Sequence, residues 1–360
     1  MPGPTRKIPT IQDVARQAQV SAATVSRALS APERVSESTR RRVTEAIRAT
    51  GYTVNQAARS LRLRSARSIL IALPNIGNPF YSTILDAVVV AAAERGYAVV
   101  VAEPFHGDRE TWIAHYFSSN RVDGLLLFDG SVDTRIFHHL KAHGGRLPIV
   151  VSYDELPDPL VNAVMTDNLE AAGRAMGHLF AMGHRRIGHV TGHSRNAFPN
   201  ERVLGYRNFV ASHRLPQRED WVFPGDYTMQ SGYAAGRAFA EMADRPSAVF
   251  CGNDEMAIGF ISAIREAGLD CPRDVSLIGF DDINVAAHLS PPLTTMRQPR
   301  QEMGRRSTRM LIDILEGVRA DRGAEQVVLK SDLIVRGSTA PLDAAPPARR
   351  GRRAALRVAP

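Results

Sequence analysis

Two different spacings of apolar residues divide this chain. Up to about residue 52 they recur at helical intervals. Thr10 is placed to cap a helix running to about Ala18, with Ile11, Val14, Ala15 and Ala18 facing inward. Ser21 predicts the start of a second helix, with Val25 and Leu29 on its buried face. Ser36 predicts a third, with Val43, Ala46 and Ile47 inward and Gly51 as its stop. The tight "QAQVS" turn between the first two suits a helix-turn-helix. A three-helix unit of this size buries little surface and leans on a partner for stability.

From Ser68 the pattern changes to short, nearly continuous apolar runs separated by helical stretches. The strand candidates are "SILIALP" (68–74), "YAVVVAE" (97–103), "GLLLF" (124–128), "PIVVS" (148–152) and "AVMTD" (163–167). A second series follows in "RIGHVTG" (186–192), "SAVFCG" (247–252) and "VSLIGFDD" (275–282). Strands apolar on both sides predict parallel sheets covered on both faces. Such sheets bind ligands at the carboxyl ends of their strands. Those ends read Pro74–Asn75, Asp167–Asn168, Thr191–Gly192, Gly252–Asn253–Asp254 and Asp281–Asp282, a polar set after each apolar run. Two stacked α/β lobes with a cleft between them fit this pattern.

Composition adds a class and charge adds an asymmetry. With 360 residues, 44% hydrophobic and 23% charged, the chain has the makeup of a soluble globular protein of two or three domains. No apolar run reaches the ~18 residues of a membrane span, and "MPGPTRKIPTIQDVA" lacks the apolar core of an export signal, so a cytoplasmic protein with no membrane partner is expected. Cys251 and Cys271 form no CxxC and read as idle, buried thiols. Residues 1–67 carry 13 Arg/Lys against 4 Asp/Glu, whereas 68–340 carry 27 against 32. A basic head on a mildly acidic body points to a polyanion met by the head alone. Of the 45 basic residues, 42 are arginine, a bias read as base composition rather than phosphate recognition. The "RRR" of 40–42 reads as a solvated helix face. The last stretch, "DAAPPARRGRRAALRVAP", is expected to be disordered.

With "TIQDVARQAQVSAATVSRALS", "VSESTRRRVTEAIRATGY" and "NQAARSLR" in view, the chain resembles bacterial transcription regulators of the lactose-repressor/galactose-repressor (LacI/GalR) family. The likeness continues in order through "PNIGNPFYSTIL", "GHRRIGHVTG", "NDEMAIG", "VSLIGFDDI", "PPLTTMRQP" and "VRGSTAP", with some phrasing like the cytidine-repressor branch. The resemblance implies an all-α helix-turn-helix head (1–52), a hinge with a hinge helix (53–67), and an α/β two-lobed periplasmic-binding-protein-like core (68–341). The core would hold two Rossmann-like parallel sheets, with three crossings near 167–169, 291–295 and 320–325. Its first lobe would comprise about 68–167 and 295–320, its second about 169–291 and 325–341, followed by a disordered basic tail (342–360).

The resemblance also implies roles for particular residues. Ser21 to Leu29 becomes a recognition helix in the major groove, with base contacts from Ala22, Ala23 and Arg27. Arg27 can bind guanine O6 and N7 together, while the alanines reach only thymine methyls. Ser21, Thr24 and Ser26 become phosphate contacts, which position rather than specify. Gln19 stands where many relatives carry glycine in the turn. In the hinge, Ala58, Arg59 and Leu61 become DNA-binding, with Leu61 as a minor-groove wedge. The effector site would comprise Phe80, Tyr81, Asn196, Phe198, Arg202, Tyr227, Asn253, Asp281 and Gln298. Aromatic faces with Asp, Asn and Arg at the edges suit a sugar or a nucleoside. Asp254 and Asp282 read instead as helix caps, and relatives often place an acid where this chain has Tyr153.

The partners implied are pseudo-palindromic double-stranded operator DNA, a sugar or nucleoside effector, and a second copy in a homodimer. No cofactor or metal is expected: the histidines lack metal-site spacing, and no P-loop, GxGxxG, HExxH or nucleophile elbow occurs. The alternative is a periplasmic-type solute-binding protein without DNA function, sharing the two-lobed core. A protein without catalytic activity is expected on either reading.

Overall fold

The computed structural model describes residues 9–53, 65–102, 116, 121–128, 148–152, 161–193, 200–318 and 323–342. It falls into two compact units, Met1–Ala66 and Arg67–Pro360. The hinge residues Ala58, Arg59 and Leu61, the cleft residues Asn196 and Phe198, Tyr153, and the tail from 343 lie outside the described residues.

In the first unit, α1 (Ile11–Ala18), α2 (Ala22–Ser30) and α3 (Glu37–Thr50) start where the capping residues place them. The Thr10 backbone N–H and hydroxyl both donate to the Asp13 carboxylate, at 2.9 and 2.8 Å. Ser21 Oγ accepts the Thr24 N–H at 3.1 Å, and Ser36 Oγ that of Thr39 at 3.4 Å. Caps of this kind are worth about 1 kcal/mol each. Gly51 ends α3 in the left-handed region at φ 67°. Val14, Ala18, Val25, Val43 and Ala46 form the core. Leu29 departs from expectation, being 38% exposed. Ala22 and Ala28 close the core around Val25 instead, and Leu29 points away from it. Gln19 adopts φ 52°, the left-handed conformation that favours glycine. Its carbonyl accepts a hydrogen bond from Arg42 Nη2 at 3.1 Å.

The second unit begins with β1 (Ser68–Ala72), α4 (Phe80–Glu94), β2 (Ala98–Ala102), β3 (Gly124–Leu127), β4 (Ile149–Val151) and β5 (Asn162–Thr166). It continues with α5 (Asn168–Ala181), β6 (Ile187–Val190), α6 (Glu201–Ser212), β7 (Val222–Phe223), α7 (Met229–Glu241), β8 (Ala248–Cys251) and α8 (Asp254–Glu266). Then come β9 (Ser276–Asp281), β10 (Thr294–Arg297), α9 (Arg300–Leu315), β11 (Gln326–Leu329) and β12 (Asp332–Ile334). Two six-stranded sheets result, ordered β11-β5-β4-β3-β1-β2 and β12-β10-β9-β8-β6-β7. All pairs are parallel except β10–β12. Central positions such as Leu70, paired with Val100 and Leu125, are flanked on both sides. Each sheet carries a packed apolar cluster on either face. Cys251 and Cys271 are buried free thiols in the second lobe.

The first crossing between lobes lies where expected, between Thr166 and Asn168. The other two lie further along the chain than expected. Thr294–Arg297 pairs with Ile278–Asp281 in the second sheet, so the chain crosses at Gln298–Pro299. Gln326–Leu329 pairs with Ala163–Thr166 in the first sheet, which moves the third crossing to Lys330–Ser331. Helix α9 belongs to the first lobe, packed so closely on α4 that a Cβ at Gly304 would stand 2.6 Å from the Ile84 carbonyl oxygen.

One buried histidine makes the second lobe acid-sensitive. His189, on β6, is fully buried between the rings of Tyr206 and Phe250. Its Nδ1 donates to the Phe250 carbonyl at 2.8 Å, while Nε2 has no hydrogen-bond partner. Burial, with Arg202 and Arg207 adding to it, lowers its pKa to about 4. Between pH 6.5 and 4 the unfolded chain therefore binds a proton that the folded one refuses, so stability is lost as pH falls through that window. The loss amounts to roughly 3 kcal/mol. Asp254 works in the opposite sense, since burial and the neighbouring Asp281 raise its pKa. His189→Gln is expected to flatten the fall in Tm between pH 7 and 4.5. Parallel Tm profiles for the two proteins would remove His189 as the cause.

Candidate functional site

Two sites emerge, one in each unit. On α2 of the head, Ser21 Oγ shares a 2.9 Å hydrogen bond with Thr24 Oγ1 in addition to capping the helix. Ala23 and Arg27 are exposed and one helical turn apart, Thr24 and Ser26 are half-buried, and Ala22 packs its methyl against the head's own core. Thus Arg27 offers the one charged fork on this face, beside a position too small to obstruct a base edge. Arg40, Arg41 and Arg42 are exposed on α3, and Arg42 is also a structural donor to the turn.

The second site lies where the lobes cross. Gln298, on the second crossing, is 4% exposed. Its carbonyl oxygen accepts from Thr166 Oγ1 at 2.8 Å and its amide nitrogen donates to Asp281 Oδ1 at 2.7 Å. Asp281, at φ 111°, lies 3.8 Å from Arg202 Nη1. Arg202, in the first turn of α6, donates Nε to Asn168 Oδ1 at 3.1 Å and Nη1 to the Gly252 carbonyl at 2.6 Å. Its guanidinium sits 3.9 Å from the centre of the Phe280 ring, a cation–π contact. A buried chain of polar groups therefore runs Thr166–Gln298–Asp281–Arg202–Asn168, from the end of β5 to the start of α5.

Other expected residues join this chain or flank it. Asn253 caps α8 through Met256 N–H at 2.9 Å and donates to the Tyr227 carbonyl at 3.0 Å. Tyr227, at φ 67°, lays its ring over Gly192, where a Cβ would come within 1.9 Å of Cζ. Its hydroxyl accepts from Asn200 Nδ2 at 2.7 Å. Phe80 opens α4 half-buried, edge-on to Tyr81 at 5.0 Å, and touches the cores of both lobes. Tyr81 packs into the first lobe alone.

Neither acid expected to cap a helix does so. Asn253 takes the cap position of α8, and Asp254 is instead buried, accepting from Thr295 Oγ1 at 2.6 Å and Ile283 N–H at 2.8 Å. Asp282 binds Arg297 and Arg336, each at 2.6 Å. Sequence reasoning also missed Thr166 and Arg300, while Asn168 was marked only as one of the polar strand ends. Thr166 stands just before that polar switch in the "AVMTDN" run. Beside the chain lies a cavity of about 810 Å3, with Ser82 and Asp86 of α4 on one wall, Asp282 to Asn284 on another, and Gln298 to Glu302 along its base. Of the expected effector residues, Gln298 reaches this cavity.

Residues 10–55 match the family described as bacterial regulatory proteins, lacI family, and residues 176–339 match a periplasmic binding protein-like domain. Over 337 residues the chain is 35% identical to the HTH-type transcriptional repressor CytR of Escherichia coli (strain K12), covering 92% of this chain and 96% of that one. The chain belongs to the LacI family. It is therefore a DNA-binding transcriptional regulator, and the match of the head does not favour a solute-binding protein without DNA function. Among solved structures, this LacI-family chain is 32% identical to the transcriptional regulator CelR in its cellobiose complex, with a TM-score of 0.69, covering 92% of this chain and 99% of that one. It is 25% identical, with a TM-score of 0.81, to the lac repressor dimer bound to operator and the anti-inducer ONPF, covering 93% and 100%. The helix-turn-helix head and two-lobed α/β core are those of the family. Among the described residues no helix is long and apolar enough to cross a membrane.

Proposed function

We propose that this LacI-family regulator is a cytoplasmic repressor that binds a pseudo-palindromic operator as a homodimer. Its operator affinity is set by a sugar or nucleoside-like effector held between the lobes, and it catalyses no reaction. Ser21, Ala22, Ala23, Thr24, Ser26 and Arg27 face the operator's major groove, and Ala58, Arg59 and Leu61 its minor groove. Phe80, Tyr81, Asn196, Phe198, Arg202, Tyr227, Asn253, Asp281 and Gln298 surround the effector.

The observation that carries this reading is the buried polar chain from Thr166 to Asn168. It joins the two lobes through Gln298 and ends on Arg202, whose cation is packed against an aromatic ring. A hydroxylated ligand exchanging hydrogen bonds with Asp281 and Arg202 changes the angle between lobes, since both anchor the crossing strands. Such coupling is reciprocal: operator alters effector affinity by the factor by which effector alters operator affinity. The relatives support the assignment, being a repressor by name and structures holding cellobiose or an operator.

The test is a gel shift with fragments from upstream of the gene and its neighbours, with and without sugars and nucleosides. Absence of a sequence-specific, salt-dependent shift sinks the repressor reading. Leu61→Ala is expected to weaken operator binding about tenfold or more, because the wedge contacts that offset a few kcal/mol of unstacking are lost. Non-specific binding stays unchanged, and an equal loss on both DNAs reduces the segment to a spacer.

A further inference from the structure

The cavity beside the polar chain carries a charge that its own walls do not answer. Four arginines line it: Arg297, Arg300, Arg305 and Arg336. Arg297 and Arg336 are both satisfied by Asp282, and Arg305 lies 3.8 Å from Glu302. Arg300 differs. It is 8% exposed, donates Nη2 to the Asp282 carbonyl at 2.6 Å, and leaves Nη1 without a hydrogen-bond partner. Burial pulls its pKa down even though Asp281 and Asp282 are close enough to pull it up. A guanidinium held out of water with an unmet N–H is costly until an anion completes it.

A second donor set converges on the same place. Helix α9 starts at Arg300 behind Pro299, with no side-chain cap, and Gln301 and Glu302 of its first turn also line the cavity. The positive end of a 16-residue helix therefore borders it, with the Arg300 N–H already taken by the Gln298 carbonyl at 2.8 Å and the first turn otherwise uncapped by any side chain. Asp86, exposed on α4, lines the same cavity, a carboxylate that can only accept and so suits hydroxyl groups.

We infer that this cavity binds the oxyanion of a small hydroxylated ligand, a phosphate or carboxylate carried on a sugar or nucleoside, with Arg300 as its ion-pair partner. The inference rests on the proposed effector site, which this cavity adjoins through Gln298, and it makes the effector an anionic molecule. The oxyanion takes the buried, unpartnered Arg300 Nη1 and the first turn of α9, while the ligand's hydroxyls meet Asp86.

Calorimetric titration of the full chain with matched probes tests this: ribose and ribose 5-phosphate, cytidine and cytidine 5′-monophosphate, glucose and glucuronate. In at least one pair the anion is expected to bind about tenfold tighter or more than its parent, the scale of a charge-assisted pair. The phosphate and carboxylate arms identify the oxyanion. Arg300→Gln is expected to erase that advantage while the neutral parent keeps its affinity. Should the Gln variant fail to fold, Asp86→Asn on the exposed wall carries the test, since removing the opposing charge tightens the anion. Neutral parents binding as well as every anion, no binding by any anion, or an anion preference unmoved in both variants each overturn the inference. Neutral ligands that bind and release operator leave the repressor reading standing alone, whereas loss of the operator shift strikes that reading without touching the titration.

Discussion

Arg202→Ala is expected to bind operator normally and to stop responding to effector, with ligand affinity down about 100-fold, as when a buried charge loses its partner. The magnitude follows from what the side chain holds. Asn168 Oδ1 and the Gly252 carbonyl lose a donor, Asp281 loses its ion-pair partner, and the Phe280 face loses its cation. Leaving Asp281 buried beside Asp254 without that cation costs about 3–5 kcal/mol, so Tm also falls. Arg202→Lys separates the two effects. It keeps the charge, and much of the stability, but lacks the planar fork that donates to two acceptors. Calorimetry with effector, anisotropy with labelled operator and a melting curve on each variant check this. Unchanged ligand affinity in both variants would falsify the placement of Arg202 in the effector site.

Arg27→Ala is expected to cost about 1–3 kcal/mol in each half-site, the value of a bidentate guanine contact. The loss should fall on specific DNA alone. Non-specific affinity loses at most one phosphate-like contact, which lowers the salt slope by about one. With Ala22 packed inward and Ala23 only a methyl, no other side chain of the two flanking positions can replace the lost reading. Titration of operator and scrambled duplex at several salt concentrations distinguishes the cases. Equal losses on the two duplexes would make Arg27 a phosphate contact.

Eight apolar runs were legible as strands because most of those strands are covered on both faces and carry few polar residues, and β2, at a sheet edge and partly exposed, is still an unbroken apolar run. The four that escaped are short or polar. Thr294 and Thr295 of β10 read as loop, yet both are fully buried, because Thr295 donates to Asp254 and Thr294 bonds with Thr339 at 3.1 Å. Strands β11 and β12 lie at the sheet edges, where half of each strand faces water and alternation replaces an apolar run. Missing them shifted two crossings. At the site, the family motifs located Arg202, Asp281 and Gln298, which the fold links directly. Arg300 was passed over because an arginine after "QP" looks like a surface residue. Only the packing of α9 against the loop after β9 reveals that it is enclosed. The cap of α8 fell to Asn253 rather than Asp254 for a similar reason: either residue can cap a helix, and Asp254 is instead held inside by the Thr295 hydroxyl and the Ile283 N–H.

The polar chain also sits at a particular mechanical position. Thr166, Gln298 and Asn168 belong to the straps where the chain crosses between lobes, so on the proposed mechanism a ligand gripping this chain pushes next to the fulcrum. The lever arm there is short. A displacement of a fraction of an ångström beside the pivot becomes several times larger at the outer strands of each sheet, in proportion to their distance from it. A small molecule placed so close to the axis needs to move almost nothing in order to swing the far surface of a lobe.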